Sequence, residues 1–521
     1  MGGAAALCLA ACSAPPVPAA AAPQWAADSA SVRVAAGPQY ARGAVWRFFW
    51  GRHYRDLWAL PVTVPVVHLA TALADPLTPI QSGGSYQSHT LRLRTATGRE
   101  FMLRSIDKDA RAALPAGWIR HLLGGLMKDQ TCAGQPFGAF VAAPLAQAAG
   151  VYHTNPRLVF LPQDPGLGTF RSHYANALYL LEERPDGNQQ RVASFGHAPA
   201  VVNSRHMLTA VGQGPEARVE PRAYLRARLL DIWLGDWSRR PDQWRWASFP
   251  RAGGVRYRPI PRDRDQAFFL FDDGLLTGLI SWFVAKYSSF HAPVRPGAVA
   301  GLTVTARALD RTLLGALSAE DFRQEADSLR RRLTDAAIAR ALAAGPPETR
   351  ALFAARFGPL LRARREQLAA IARRYFEVLN EEAWLVGTDK AERFIISSAG
   401  AGRVRVQLLA RRPGQPDSLL AARTYDWHET HLLKLYGLAG DDVFELRPPL
   451  APGFAVQMYG GAGHDQVRCP GLRADVEHFT WYGNADGAAP ALPAGLPTAS
   501  DPHPETSANA AGWLTIFNLR D

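Results

Sequence analysis

The chain has 521 residues, 47% of them hydrophobic and 20% charged, which places it with globular rather than disordered chains. At about 150 residues per domain the length suits several domains and excludes a disulfide-stapled miniprotein. The net charge is +12, yet among 58 basic residues only Lys108, Lys128, Lys286, Lys390 and Lys434 are lysines. Arginine is spread along the chain with no basic face interleaved with aromatics, so no nucleic-acid partner is expected.

The chain opens MGGAAALCLAACSAPPVPAAAAP. Its apolar run, residues 4–11, is too short to span a bilayer and suits the core of a secretory signal peptide, although no Lys or Arg precedes it. Leu9-Ala10-Ala11-Cys12 matches the bacterial lipoprotein box. Residues 1–12 therefore read as a lipoprotein signal peptide with Cys12 as the acylated residue, and residues 13–45 as a tether. Cys132 and Cys469 then remain as thiols, too few for a disulfide framework or a zinc site.

Residues 46–185 read as a first α+β unit. Trp46, Phe49, Trp50, Tyr54 and Trp58 recur at helical spacing. Residues 62–108 read as a strand, a Gly83-Gly84 turn and two further strands. Helical patterns fill residues 110–150, and strands return at RLVFLP and NALYLLEERP. Residues 186–316 form a second unit, in which the helix PRAYLRARLLDIWL, starting at Pro221, feeds the acidic loop GDWSRRPDQ. A hairpin follows, then Asp263-Arg264-Asp265-Gln266. Residues 317–384 are a helical extension, opened by a capping box at Ser318 and broken at Gly345-Pro346-Pro347. From residue 385 to 480 the period changes to two, the pattern of an all-β, sandwich-like domain. Residues 481–521 read as a disordered tail ending in WLTIFNL, a candidate docking strand.

Common catalytic signatures are missing: there is no P-loop, no GxSxG elbow and no HExxH. What remains is an ordered series that phosphoryl transfer requires. A glycine turn, Gly83-Gly84, lets backbone N–H groups approach phosphates. A strand cation, Arg104, is to be held by a helix carboxylate, Asp129. An extended segment carries Glu182. A loop acid orients the hydroxyl, and Asp263 is placed to hold a metal. The alternative for the same residues is an unrelated α+β fold in which Asp–Arg pairs beside Trp form a buried network that holds a loop.

The stretches 235–243 and 263–268 resemble the catalytic and metal-binding loops of atypical kinases: the secretory casein-kinase-like, HipA-type and CotH-type families. FFWGRHYRDLWALPV, LYLLEERPDG, RARLLDIWLGDW and YRPIPRDRDQAF also resemble a group of bacterial outer-membrane-associated proteins whose relatives carry a BamA/TamA-type barrel. The resemblance implies a two-lobed kinase-like module, with Mg²⁺ as cofactor and an outer-membrane barrel protein as partner. The kinase loop would read Gly-Asp-Trp-Asp-Arg-His, and here Ser238, Arg239 and Arg240 stand at its end. Gln243 takes the place of a metal-binding Asn or Glu. Asp236, two residues from the lost acid, is the candidate substitute.

In the β domain, Gly460 to Arg468 fits the calcium nonapeptide GGxGxDxUx, and Gly437 to Glu445 fits it with one mismatch. Asp465 and Asp442 are thus candidate Ca²⁺ ligands, although their units start 23 residues apart, where calcium rolls stack every nine. Glycine–aspartate hairpin turns are the other reading. Taken together, the sequence describes an α+β protein, lipid-anchored at the outer membrane and facing the periplasm or the cell surface. Its kinase-like module is a degenerate ligand- or partner-binding unit, an active Mg²⁺-dependent phosphotransferase, or an envelope scaffold.

Overall fold

In the computed structural model, which describes residues 29–83, 88–108, 111, 117–469, 476–483 and 492–519, the first expected unit is built on an antiparallel sheet. Before it comes a strand pair, β1 (Ser31–Ala35) with β2 (Pro61–Pro65). The tether therefore ends earlier than expected, because the alternation in SVRVA turns Val32 into the core and pairs it with Val64. The signal peptide, Cys12 and Gly84 lie outside the described residues.

The main sheet comprises β3 (Leu77–Gly83), β4 (Ser88–Thr95), β5 (Glu100–Lys108), β6 (Arg157–Leu161) and β7 (Ala177–Glu183), in the order β3-β4-β5-β7-β6. Leu91, Leu93, Leu103, Tyr179 and Leu181 pack outward under residues 67–77 and 167–175. Ile106, Leu178 and Leu180 turn to the opposite face and join the largest core. The helix Gly138–Ala149 lies in that core and is apolar on nearly every side, as a helix buried between layers must be.

Behind it runs the helix Pro221–Leu234, whose Tyr224, Leu225, Leu229, Ile232 and Trp233 are fully buried. It leads into a small sheet of β8 (Ala200–Asn203), β9 (Ala217–Val219), β10 (Trp244–Arg251) and β11 (Gly254–Pro261), ordered β8-β10-β11-β9. The helical extension shares this core rather than forming one of its own: Phe322, Leu329, Phe357 and Phe376 all belong to it. The capping box forms as expected, with Ser318 N–H 2.8 Å from Asp321 Oδ2 and Asp321 N–H 3.3 Å from Ser318 Oγ.

The C-terminal domain has two five-stranded sheets around a separate core. Its strands are β12 (Glu382–Val386), β13 (Glu392–Ser398), β14 (Arg403–Arg412), β15 (Gln415–Asp426), β16 (Leu432–Tyr436), β17 (Val443–Arg447), β18 (Ala455–Tyr459), β19 (Gln466–Arg468), β20 (Phe479–Tyr482) and β21 (Thr498–Ala499). The expected two-layer all-β architecture is present, but its connectivity is that of a coil. From β16 to β20 successive strands alternate between the sheets, and β16, β17 and β18 each pair in parallel with the strand one coil later. The register links Leu432 to Ala455, Val443 to Gln466 and Val456 to Phe479, each 23 residues on. Tyr436, Tyr459 and Tyr482 stack at that interval, with ring centroids 4.6 and 4.4 Å apart. The spacing that argued against a nine-residue roll is the length of one coil, and the glycine–aspartate segments join the two sheets rather than closing hairpins.

The terminal run docks as short helices, Ala510–Trp513 and the turn Leu514–Phe517, not as a strand. Trp513 packs on Trp384 and Tyr436. Asn509 supplies the N-cap, its Oδ1 accepting from Gly512 N–H at 2.9 Å. Among the described residues no helix is long and apolar enough to cross a membrane.

Candidate functional site

The register of the main sheet places Arg104. One rung runs Gly83, Thr90, Arg104, Leu180 and Leu158 across β3, β4, β5, β7 and β6. Arg104 faces Leu180, so Glu182, two residues along β7, lies diagonally on the same face within reach of a long side chain. The two form a buried ion pair. The other arm of the Arg104 guanidinium meets Asp263, two residues beyond β11. Asp263 sits in the left-handed region at φ 56°, a conformation a short polar side chain tolerates. One strand cation thus bridges the main sheet and the segment after the small sheet. Lys108, at the end of β5, makes a parallel link to Asp265.

The loop 235–243 is positioned by the end of the Pro221–Leu234 helix. Gly235 at φ 70° is the left-handed cap, and Asp236 N–H returns to the Asp231 carbonyl at 2.9 Å. Asp236 is completely buried. Its Oδ1 accepts from Ser238 N–H at 3.0 Å, and Oδ2 is held by Arg239. Burial pushes its carboxyl up to about 6 against the pull of Arg239. Asp236, the candidate substitute for the missing acid, thus braces its own loop with both oxygens. Ser238 is also buried, and Gln243 Nε2 donates to its Oγ at 3.1 Å. The residues at the catalytic and metal-binding places of the resemblance are therefore tied to each other. Arg240 turns outward to Asp242 at 2.9 Å.

Asp129 is not brought to Arg104. Its carboxylate takes Arg55 at 2.6 and 2.9 Å, Arg42 at 3.0 Å and the Trp46 indole at 2.9 Å. It fastens the aromatic N-terminal segment, and Glu182 fills the role assigned to it. Gly83 ends β3 on the Arg104 rung, two strands away from it.

The electrostatics around Asp263 are one-sided. Burial pushes its carboxyl up, but Arg104, Arg262, Arg239 and Lys108 together hold it far below the usual carboxylate range. The space beside it is small. A cavity of about 20 Å³ is lined by Arg104, His153, Leu180, Glu182 and Asp263, and another of about 30 Å³ lies on the Trp58 and Lys108 side of Arg104. Each admits about one or two waters. Beneath the site lies a network that sequence reasoning described only in outline: Asp231 receives Arg264 at 3.0 Å, Arg239 at 3.1 Å and Arg228 at 3.5 Å, while Asp310 takes Arg228 at 2.9 Å.

In the C-terminal coil, the candidate ligands Asp442 and Asp465 point inward along the stack. Asp442 Oδ1 accepts from Glu392 N–H at 2.7 Å, and Asp465 Oδ1 accepts from Asp442 N–H at 3.0 Å. Glu392 is an unrecognised earlier turn of the same kind, with Glu in place of Asp, so the repeat has three members among the described residues. Asp442 packs so closely on Gly437 that any Cβ there would overlap its carboxylate. Calcium takes about six to eight oxygen ligands. Among the described residues no group of three or more His, Cys, Asp or Glu is placed to hold a metal. One oxygen of each carboxylate is spent on that backbone ladder.

Burial pushes the Glu392 carboxyl up from near 4.5 to about 8, and Asp442 rises too, through burial and then through Glu392 and Asp465. Through the Glu392 window the folded state holds protons that the unfolded chain has released, so stability is greatest at the acid end and falls as pH rises. The loss at Glu392 between about pH 5 and about pH 8.5 is expected to be about 4 kcal/mol. Unfolding measured at about pH 5 and at about pH 8.5 should show the drop, and Glu392→Gln should shrink it. An unchanged drop in that variant would exclude Glu392 as its source.

No protein-family model matches the chain, and no curated relative matches it. Among solved structures it is similar to the Shewanella oneidensis HipA, in complex with HipB and operator DNA, at 13% identity. That match covers 57% of this chain and 67% of that one, with a TM-score of 0.28. It is also similar to the Helicobacter pylori proinflammatory kinase CtkA, at 11% identity over 60% of this chain and 99% of that one, with a TM-score of 0.31.

Proposed function

We propose that this chain is a degenerate kinase-like module, held at the bacterial cell envelope by an acylated Cys12, that binds a ligand or partner and does not transfer phosphate. The observation that carries the reading is Arg104, which spans Glu182 and Asp263 where a kinase keeps a lysine for phosphates and an aspartate for metal. A planar guanidinium paired to both carboxylates fills that role differently from a point charge. Mg²⁺ is usually held by one or two carboxylates together with substrate phosphates. Asp263 is already neutralised by Arg104, and Gln243 is a neutral amide occupied by Ser238. These residues do not fit Mg²⁺ as they stand.

The envelope part of the reading rests on Leu9-Ala10-Ala11-Cys12 and extends to an outer-membrane barrel protein as partner. Cys12→Ala is expected to make the protein extractable from the membrane fraction by high salt, which leaves the acylated wild type in place, and a wild type found soluble in the cytoplasm would end that part.

The site is tested by calorimetric titration of the full chain with ATP, with and without Mg²⁺. The wild type is expected to show no Mg²⁺-dependent binding, whereas Arg104→Ala, which releases Asp263, gains it. Mg²⁺-dependent binding by the wild type, followed by transfer to an acceptor, would overturn the degenerate reading. No binding in either protein would leave the envelope scaffold.

A further inference from the structure

Two short helices leave their largest apolar side chains in solvent. The helix Ala44–Trp50 buries no residue and exposes Val45 at 74% and Phe48 at 63%. The helix Leu275–Phe283 buries only Thr277 and exposes Trp282 at 79% and Phe283 at 73%, with Leu275 and Leu279 beside them. The helices pack on each other. His53 N–H donates to Asp273 Oδ2 at 2.6 Å, and Gly274 lies so close to Gly51 that an added Cβ would overlap its nitrogen. The exposed side chains thus belong to one surface, and apolar exposure on that scale marks an interaction site.

The one charged residue within the two helices is a cation, Arg47. Neither helix contains an acidic residue. Nearby carboxylates have partners within the protein: Asp272 in His291 at 2.8 Å, Asp273 in His53 at 2.6 Å, Asp56 in Arg356 at 3.6 Å, and Asp129 in Arg42 and Arg55. Arg47 and Arg52 make no carboxylate pair among the described residues, and Lys286 lies over the Trp237 and Tyr287 rings. A second copy on a two-fold axis would bring the same cations together. A bilayer with anionic headgroups complements both features: helices with Trp, Phe and Leu outward bury shallowly at the headgroup boundary, while Lys and Arg meet the lipid charge.

We infer that the face made by helices Ala44–Trp50 and Leu275–Phe283 docks on an anionic lipid bilayer. The inference needs neither phosphate chemistry nor acylation. Its test uses the full chain carrying Cys12→Ala, floated with vesicles of phosphatidylcholine alone or with about a third phosphatidylglycerol. Flotation with the anionic vesicles is expected, weakening as salt rises. Adding Phe48→Ser, Trp282→Ser and Phe283→Ser should weaken it about tenfold or more, with little change in melting because all three are exposed. Since the leader is identical in both proteins, this difference reports the face alone. Arg52→Glu with Lys286→Glu should remove the preference for anionic vesicles. No flotation with either vesicle would overturn the inference, as would equal flotation of the triple variant. A solution dimer that the triple variant dissolves would assign the face to a second copy instead.

Discussion

Replacing Asp231 with Asn is expected to lower the unfolding free energy by about 3–5 kcal/mol, the range for a buried ion pair that loses one partner. Asp231 is fully buried, and three arginines converge on it: Arg264 at 3.0 Å, Arg239 at 3.1 Å and Arg228 at 3.5 Å. Asp236 and Asp310 supply the other two negative charges of the cluster, through Arg239 and Arg228. Three buried cations are thus balanced by three buried anions, and the substitution leaves one cation without its counter-charge. Asn keeps the size, so the effect is one of charge rather than of a cavity. Because Arg239 also holds Asp236 and the Arg262 carbonyl, the loop 235–243 should loosen with it and become the first site of limited proteolysis. Denaturant unfolding of the two proteins measures the difference. A loss under about 1 kcal/mol would mean that the arginines find other partners or water, and that the cluster does not hold the loop.

Sequence reading reached this region through local signals. The helix Pro221–Leu234, its glycine stop, the two acidic segments and the Ser318 cap are all coded within a few residues of one another. The substitution of Ser238 for an acid, with Gln243 five residues later, was legible for the same reason, and the structure ties those two side chains together. The partner of Arg104 was not legible. Asp129 and Glu182 are both carboxylates at plausible positions, and only the register of β5 on β7 selects the second. Asp129 was claimed instead by Arg42, from the stretch read as a tether, and by Arg55, from the aromatic segment after it. The coil of the C-terminal domain escaped because its unit is 23 residues long and its first turn carries Glu392 in place of Asp. The strand β1 escaped because five residues of alternation inside a Pro/Ala-rich stretch are a weak signal until β2 supplies the partner.

On the degenerate-module reading proposed above, phosphate transfer is expected only if two faults are corrected together. Ser238 cannot accept a substrate proton as a carboxylate does, and the loss of a positioned base typically costs about 10²–10⁴-fold in rate. Arg104 independently withholds Asp263 from any metal. Ser238→Asp with Arg240→His is therefore expected to stay silent while Arg104 remains. Adding Arg104→Lys exchanges the two-armed guanidinium for a single ammonium, which can hold Glu182 or a phosphate but no longer spans Glu182 and Asp263 together. In that triple variant a new carboxylate at 238 can accept the Gln243 Nε2 hydrogen bond in place of the hydroxyl. Turnover of ATP with Mg²⁺ should then rise by about 10²-fold or more over the wild type. Asp263→Ala on the same background should abolish the gain, separating transfer at this site from a contaminating kinase. Activity in Ser238→Asp with Arg240→His alone would show that Arg104 does not close the site. Silence in the triple variant, despite Mg²⁺-dependent nucleotide binding by Arg104→Ala, would place the fault beyond the missing acid, in the buried and inward-facing position that Ser238 now holds.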